Sequence, residues 1–299
     1  MSTVFGHGDT TGTVQAEARR PAARGRANPH SDIDLSRWKD YGDIITDSLW
    51  LLGARDKTGP HQGDYHGNFV PQIARQVLRR FTRAGEIVVD LFSGMGTTLI
   101  ECRHLGRHGL GVELLESVNV AARARVAAAA NEFGVTTRIL TGDSADPRTL
   151  RQVRRFLHSL GSEFAHHVIL HPPYWDIIPF SGGQDPADLS GAPSEATFYE
   201  GFGRVARHAW QILAPGRMMT LVVGDKYGRG EWIPLGFGCM EVCRGLGFRL
   251  KAINVKDIQG NEKAKGKNNN LWRYRALRFG MYVFKHEYVM IFQKPASAR

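Results

Sequence analysis

Three cysteines in 299 residues cannot build a disulfide framework. Cys102 stands alone. Cys239 and Cys243 lie four apart on an expected helix, with no clear ligand partners around them, so all three read as buried thiols and no metal site is expected. No apolar run approaches the roughly 18–20 residues that cross a bilayer, and the first residues lack the apolar centre of a signal peptide. A cytoplasmic protein without a membrane partner is therefore expected. Acid is also scarce. The chain holds 29 Asp and Glu against 39 Lys and Arg, a formal charge of +10. The shortage is local: Arg244–Lys285 carries eleven Lys and Arg against two acids. Such a patch favours an anionic partner, nucleic acid first.

What is present is organised around Glu86–Thr98. A short β-branched run, Ile87-Val88-Val89-Asp90, reads as a buried strand. It breaks at Ser93-Gly94-Met95-Gly96 and enters a helix at Thr97. Strand, glycine turn and helix bring bare backbone N–H groups close to a ligand. The turn matches neither common nucleotide loop. A dinucleotide G-x-G-x-x-G would need its third glycine where Leu99 stands, and no Gly-Lys-Ser/Thr follows for a triphosphate.

The remaining chain alternates strand and helix. Residues 1–30 are expected to form a disordered basic tail. Residues 31–64, with Trp38, Ile44, Ile45 and Leu49–Leu52, form an extension packed on the core. The main domain spans 65–299. Its first helix covers about 72–81, with Ile73, Val77 and Phe81 four apart and Pro71 suited to the first turn. Helices follow at 97–105, about 116–133, 147–160, 198–213 and 234–245. Strands are expected at 108–113, 138–143, 167–170, 218–225 and 247–251, and a closing strand at 286–294. The expected fold is α/β, a doubly wound, mostly parallel sheet. Residues 179–197 read as a mobile loop.

Three successive strands end in acids: Asp90, Glu113 and Asp143. Ligands of such sheets bind outside the carboxyl ends of the strands. A carboxylate ending the second strand can accept from ribose hydroxyls, and one ending the third from an adenine amino group. The fourth strand opens into His171-Pro172-Pro173-Tyr174. The prolines lock the backbone and present carbonyl oxygens. Tyr174 supplies a flat face for a planar ring, and His171 a ring nitrogen as acceptor. These groups suit an exocyclic amino group held by its hydrogens, with its lone pair aimed outward.

The chain resembles the S-adenosylmethionine-dependent DNA amino-methyltransferases that act on adenine N6 or cytosine N4. The cofactor-loop motif D-x-F-x-G-x-G-T-T is Asp90–Thr98, and the (D/N/S)-P-P-Y motif is His171–Tyr174. The upstream methionine-binding segment is His66–Pro71. The terminal H-E-x-x-x-x-F-x-K segment is His286–Lys294. The resemblance covers about 65–295. It implies a Rossmann-like class I methyltransferase fold with an antiparallel C-terminal strand, and S-adenosyl-L-methionine as cofactor. Phe69, Asp90, Phe92, Gly94, Gly96, Thr97, Glu113 and Asp143 would line the cofactor site. His171, Pro172, Pro173 and Tyr174 would hold a flipped base. His171 stands where Asp, Asn or Ser is usual; the longer string through Ser181 resembles a bacterial branch that carries His there. The cofactor motif precedes the Pro-Pro-Tyr motif, an order shared with RNA amino-methyltransferases, so RNA is the second candidate substrate. A nucleic-acid-binding protein that has lost catalysis through His171 is the third reading. Lys263, Lys265, Lys267, Trp272, Arg273 and Arg275, with Tyr274 and Arg278, mix cations and aromatics as phosphate contact and base stacking require. A restriction or defence-system partner would accompany the DNA reading.

Overall fold

The computed structural model describes residues 28–258 and 269–296. The expected tail therefore lies outside the described residues, apart from 28–30, and so do Lys263, Lys265 and Lys267.

In chain order the elements are β1 (Leu49–Trp50), α1 (Pro71–Phe81), β2 (Ile87–Asp90), α2 (Thr97–Leu105), β3 (His108–Glu113), α3 (Glu116–Ala127) and β4 (Thr137–Thr141). Then come α4 (Pro147–Ser159), β5 (Ala165–Leu170), α5 (Glu195–Ile212), β6 (Leu213–Val223), β7 (Lys226–Gly228) and β8 (Glu231–Ile233). The chain closes with α6 (Leu235–Gly245), β9 (Arg249–Asp257), α7 (Asn269–Phe279) and β10 (His286–Gln293).

One sheet runs in the order β4-β3-β2-β5-β6-β10-β9-β1. β4 through β6 are parallel, and β10 lies antiparallel between β6 and β9. This is the Rossmann-like class I methyltransferase fold, a mixed, mostly parallel sheet with an antiparallel C-terminal strand. All four residues of β2 are buried, as a strand covered on both faces must be. The chain leaves β2 for β3 on one side and returns to β5 on the other. That reversal opens a crevice at the carboxyl ends of β2 and β5.

Local chemistry explains the helix ends. α1 starts at Pro71 and buries Ile73, Ala74, Val77 and Leu78. α4 is capped by Asp146, which accepts from Arg148 N, and has proline in its first turn. Gly96 and Gly106 bracket α2 in left-handed conformations. At Gly96 a Cβ would also meet Val126 Cγ2 at 2.6 Å, so the turn lies tight against α3.

Several elements differ from the sequence expectation. α3 stops at Ala127, not 133, because Asn131 folds the chain back: its side chain accepts from Val135 N and donates to Val135 O. β4 ends at Thr141, so Asp143 sits two residues beyond the strand. β6 begins at Leu213, with Pro215-Gly216 inside it, and β9 runs on to Asp257. Residues 179–197 are pinned, not loose. Asp188 is buried and accepts from Ser181 N, Ser190 N and Ser190 Oγ, and α5 begins at Glu195. The β7–β8 hairpin, β1 and the helical form of 269–279 had no periodic signal.

Residues 31–64 lie along α1 and the sheet edge. β1 pairs in parallel with β9, Trp50 opposite Lys256. Gln76 joins Ile45 N and Asp43 O to α1. His61 Nε2 reaches the fully buried Glu101 of α2 at 2.8 Å, and Arg75 of α1 holds both Glu101 oxygens at 2.9 and 3.0 Å. His104 Nδ1 lies 3.5 Å from the same carboxylate. The His61, Glu101 and His104 donor atoms fall within 4.8 Å of one another. With Arg75 neutralising Glu101, the group is an ion-paired clamp between extension and core.

Candidate active site

A cavity of about 300 Å³ opens in the crevice. Its walls come from loops that follow four successive parallel strands: Leu91, Phe92 and Gly94 after β2, Leu114 and Leu115 after β3, Gly142–Ala145 after β4, and His171–Tyr174 after β5. Tyr65 and Gly67–Phe69 close it from the extension side, and Ile177, Ile178, Phe180 and Ala187–Leu189 lie across it. The glycine turn and the Pro-Pro-Tyr turn thus share one chamber.

On the cofactor half, Glu113 Oε2 accepts from Gly94 N and Oε1 from Leu115 N, both at 3.0 Å. Burial raises its pKa, and these backbone bonds oppose the rise. Leu114 N also favours the charged form, and with two to three N–H groups on its two oxygens the carboxylate retains lone-pair capacity for a hydroxyl donor. Asp143 Oδ1 accepts from Ala145 N at 2.7 Å. Phe69, Phe92, Gly94, Glu113 and Asp143 all line the cavity. Asp90, Gly96 and Thr97 are not among its walls; they form the loop from beneath. Asp90 is buried and binds Thr98 Oγ1 at 2.5 Å and Phe92 N at 3.0 Å. Burial pushes its pKa up to about 6 against those two bonds. Gly96 is the left-handed cap of α2, with Thr97 as the helix's first residue.

On the other half, His171 packs edge-on to Phe69, with ring centroids 5.2 Å apart. Its Nε2 lies 3.3 Å from the Tyr174 hydroxyl. That hydroxyl donates to Glu287 Oε2 at 2.8 Å, and Glu287 Oε1 is 2.9 Å from Lys256 Nζ. Glu287 also lines the cavity. Burial lowers the His171 pKa to about 4. Glu287 pulls it back up, while Lys256 and Arg55 reinforce the fall. Burial alone would raise Glu287, but Lys256, His171 and Tyr174 outweigh it and keep the carboxylate ionised. The Tyr174 pKa is raised by burial and by Glu287, so its proton stays on.

Sequence reasoning did not find three supports of this turn. Gly224, directly after β6, leaves room for the Tyr174 ring; a Cβ there would meet Tyr174 Cε2 at 2.7 Å. Trp175 holds a positive φ of 50° that a non-glycine residue rarely adopts. Its Nε1 donates to Ala192 O at 2.7 Å, and Lys226 lies 4.2 Å over its ring while pairing with Asp176. Glu287 belonged to the terminal H-E segment, but only the register of β10 against β9 brings it opposite Lys256.

Trp272, Arg273 and Arg275 lie on α7, away from the cavity walls. The helix is exposed along most of its length. Arg275 stacks on Trp272 at 5.3 Å, and Arg278 lies over Tyr274 and Phe279. Among the described residues no helix is long and apolar enough to cross a membrane.

Residues 16–122 match the family described as DNA methylase, the N6/N4 methyltransferases. A stretch of 66 residues is 35% identical to the type II methyltransferase M.MjaII of Methanocaldococcus jannaschii, covering 21% of this chain and 12% of that protein. Among solved structures, TrmN from Thermus thermophilus is 18% identical, with a TM-score of 0.47, over 78% of this chain and 51% of that one. A methyltransferase from Pyrococcus furiosus is 17% identical, with a TM-score of 0.43, over 78% and 88%. This chain therefore spans about half of TrmN and a small part of M.MjaII. The strand order and the family match make S-adenosyl-L-methionine the cofactor.

Proposed function

We propose that this chain transfers a methyl group from S-adenosyl-L-methionine to the exocyclic amino nitrogen of adenine (N6) or cytosine (N4) in DNA, with the target base turned out of the duplex. One observation carries the reading: His171-Pro172-Pro173-Tyr174 and the glycine turn line the same cavity. The match of residues 16–122 to the DNA methylase family supports the substrate class.

The residues fit the cofactor. The paired backbone contacts of Glu113 leave its oxygens with lone pairs for ribose hydroxyls, and Asp143 stands where an adenine amino group can be read. Phe69 and Gly94 flank the place for the methionyl arm. When bound, the cofactor supplies an electrophilic methyl group on a positively charged sulfur. The chain's own task is then to position the amino nitrogen. Pro172 and Pro173 fix the turn, its carbonyl oxygens accept the amino hydrogens, and Tyr174 holds the plane of the ring. Such positioning is a large share of the catalysis available to a site without a covalent nucleophile. Acceptors aimed at the amino group also stabilise the positive charge that grows on nitrogen. We read His171 as an active variant of the usual Asp, Asn or Ser, as in the branch its neighbouring residues resemble. A base inside a duplex must first be extruded, at a cost of a few kcal/mol. α7, with Arg273, Arg275 and Arg278, is the surface that would meet the phosphates.

The test is incorporation of label from tritiated cofactor into duplex DNA of varied sequence, with structured RNA as a parallel acceptor and Tyr174→Ala as control. Incorporation into DNA at least about 100-fold above the control is expected. Incorporation into RNA alone would move the substrate. No incorporation into either, with salt-sensitive DNA binding intact, would leave only a binding protein.

A further inference from the structure

Hydrogen bonds within the base-holding half of the cavity have a defined direction. Glu287 is ionised and can only accept. The Tyr174 hydroxyl, 2.8 Å away, must therefore spend its one hydrogen on Glu287. Its oxygen then faces His171 Nε2, 3.3 Å away, with only lone pairs to offer. The imidazole is neutral, so the hydrogen-bearing nitrogen has to be Nε2, and Nδ1 keeps its lone pair. No residue among those described bonds His171 Nδ1. The start of the chain is equally fixed. Lys256 and Glu287 face each other across the antiparallel β9–β10 pair, are 3% and 8% exposed, and meet at 2.9 Å. A charge pair that deep keeps its geometry because loss of either partner strands a buried charge.

We propose that Glu287 is the positioning residue of the base site. Held by Lys256, it aims the Tyr174 hydroxyl and thereby locks His171 as the Nε2–H tautomer, presenting Nδ1 as acceptor to a hydrogen of the target amino group. The negative charge that an aspartate would carry at position 171 is thus supplied from β10, through a tyrosine and an imidazole. This rests on the proposed function and adds the origin of its acceptor.

The tautomer can be read without turnover. Nitrogen chemical shifts of ¹⁵N-histidine-labelled full-length protein distinguish Nδ1–H from Nε2–H, and His171→Gln assigns the signal. The wild type should show Nε2–H at neutral pH. In Glu287→Gln, Lys256 will draw the amide oxygen, so the amide nitrogen faces Tyr174 and donates. The Tyr174 hydroxyl must then turn to His171, which becomes the Nδ1–H tautomer. Turnover should fall about 100-fold, while S-adenosylhomocysteine affinity stays within about twofold. A wild-type Nδ1–H tautomer overturns the proposal, as does Glu287→Gln with the tautomer unchanged. Should that variant fail to fold, Tyr174→Phe serves. It breaks the relay at the hydroxyl and should leave a tautomer mixture; a tautomer still purely Nε2–H would overturn the proposal. A correct wild-type tautomer with no methyl incorporation would refute the enzymatic reading and leave the relay standing.

Discussion

In the proposed reaction His171 sets the pH behaviour of the site. An ordinary imidazole titrates near 6.5, so from sequence a loss of activity would be expected below neutrality. Burial moves the value to about 4. Turnover should therefore stay flat from pH 8 to about pH 5 and fall as pH approaches 4, with cofactor binding measured in parallel. Stability responds with its own sign. His171 and the fully buried His167, lowered to about 4 and about 3, are neutral in the folded chain, while the unfolded chain takes up protons below about 6.5. Both should destabilise the fold progressively as pH falls from about 6.5, visible as a declining denaturation midpoint. At this scale the sequence was informative for residues inside a motif. Phe69, Gly94, Glu113 and His171–Tyr174 could be chosen by pattern, and all line the cavity. Lys256 and Gly224 could not, because their roles depend on which strands become neighbours.

Elements were legible where one period dominated. α1, α2 and β10 match the expected spans because their apolar spacing, proline or glycine signals agree. The end of α3 was misread because its alanine run favours helix all the way to Gly134, whereas Asn131 supplies a competing turn. Pairing between elements was hidden altogether. The His61–Glu101–Arg75 clamp joins residues 26 and 40 positions apart. Arg75→Met should leave Glu101 buried with only histidine neighbours and cost about 3–5 kcal/mol, measured by chemical denaturation. Glu101 is held below the usual carboxylate range because His61 and Arg75 outweigh the opposing effect of burial. The clamp's contribution is therefore present above about pH 4.5 and fades as acid protonates the carboxylate.

For the whole molecule, strand–helix alternation was enough to indicate the sheet and the edge where the cavity opens, since parallel crossovers leave few topologies. The basic segment was legible as charge but not as shape: its described residues form the end of β9 and the exposed α7. If α7 meets DNA as proposed, replacing Arg273, Arg275 and Arg278 together by alanine should weaken DNA binding with little effect on cofactor affinity. Up to three released counterions would disappear, and the slope of log K against log salt should drop by up to about 3. Titrations at several ionic strengths would check this.

The pairing of β1 with β9 bears on how portable the catalytic unit is. A fragment cut at residue 65 keeps every recognisable motif and resembles a complete module. It would lose Trp50, which lies opposite Lys256 in the sheet, and with it the neighbour of the lysine that anchors Glu287. It would also bare the outer rim of β9 at Val255 and Lys256, an invitation to strand exchange with another copy. Residues 31–64 are thus part of the scaffold around the cavity, and motif boundaries are a poor guide to where this protein can be cut or grafted.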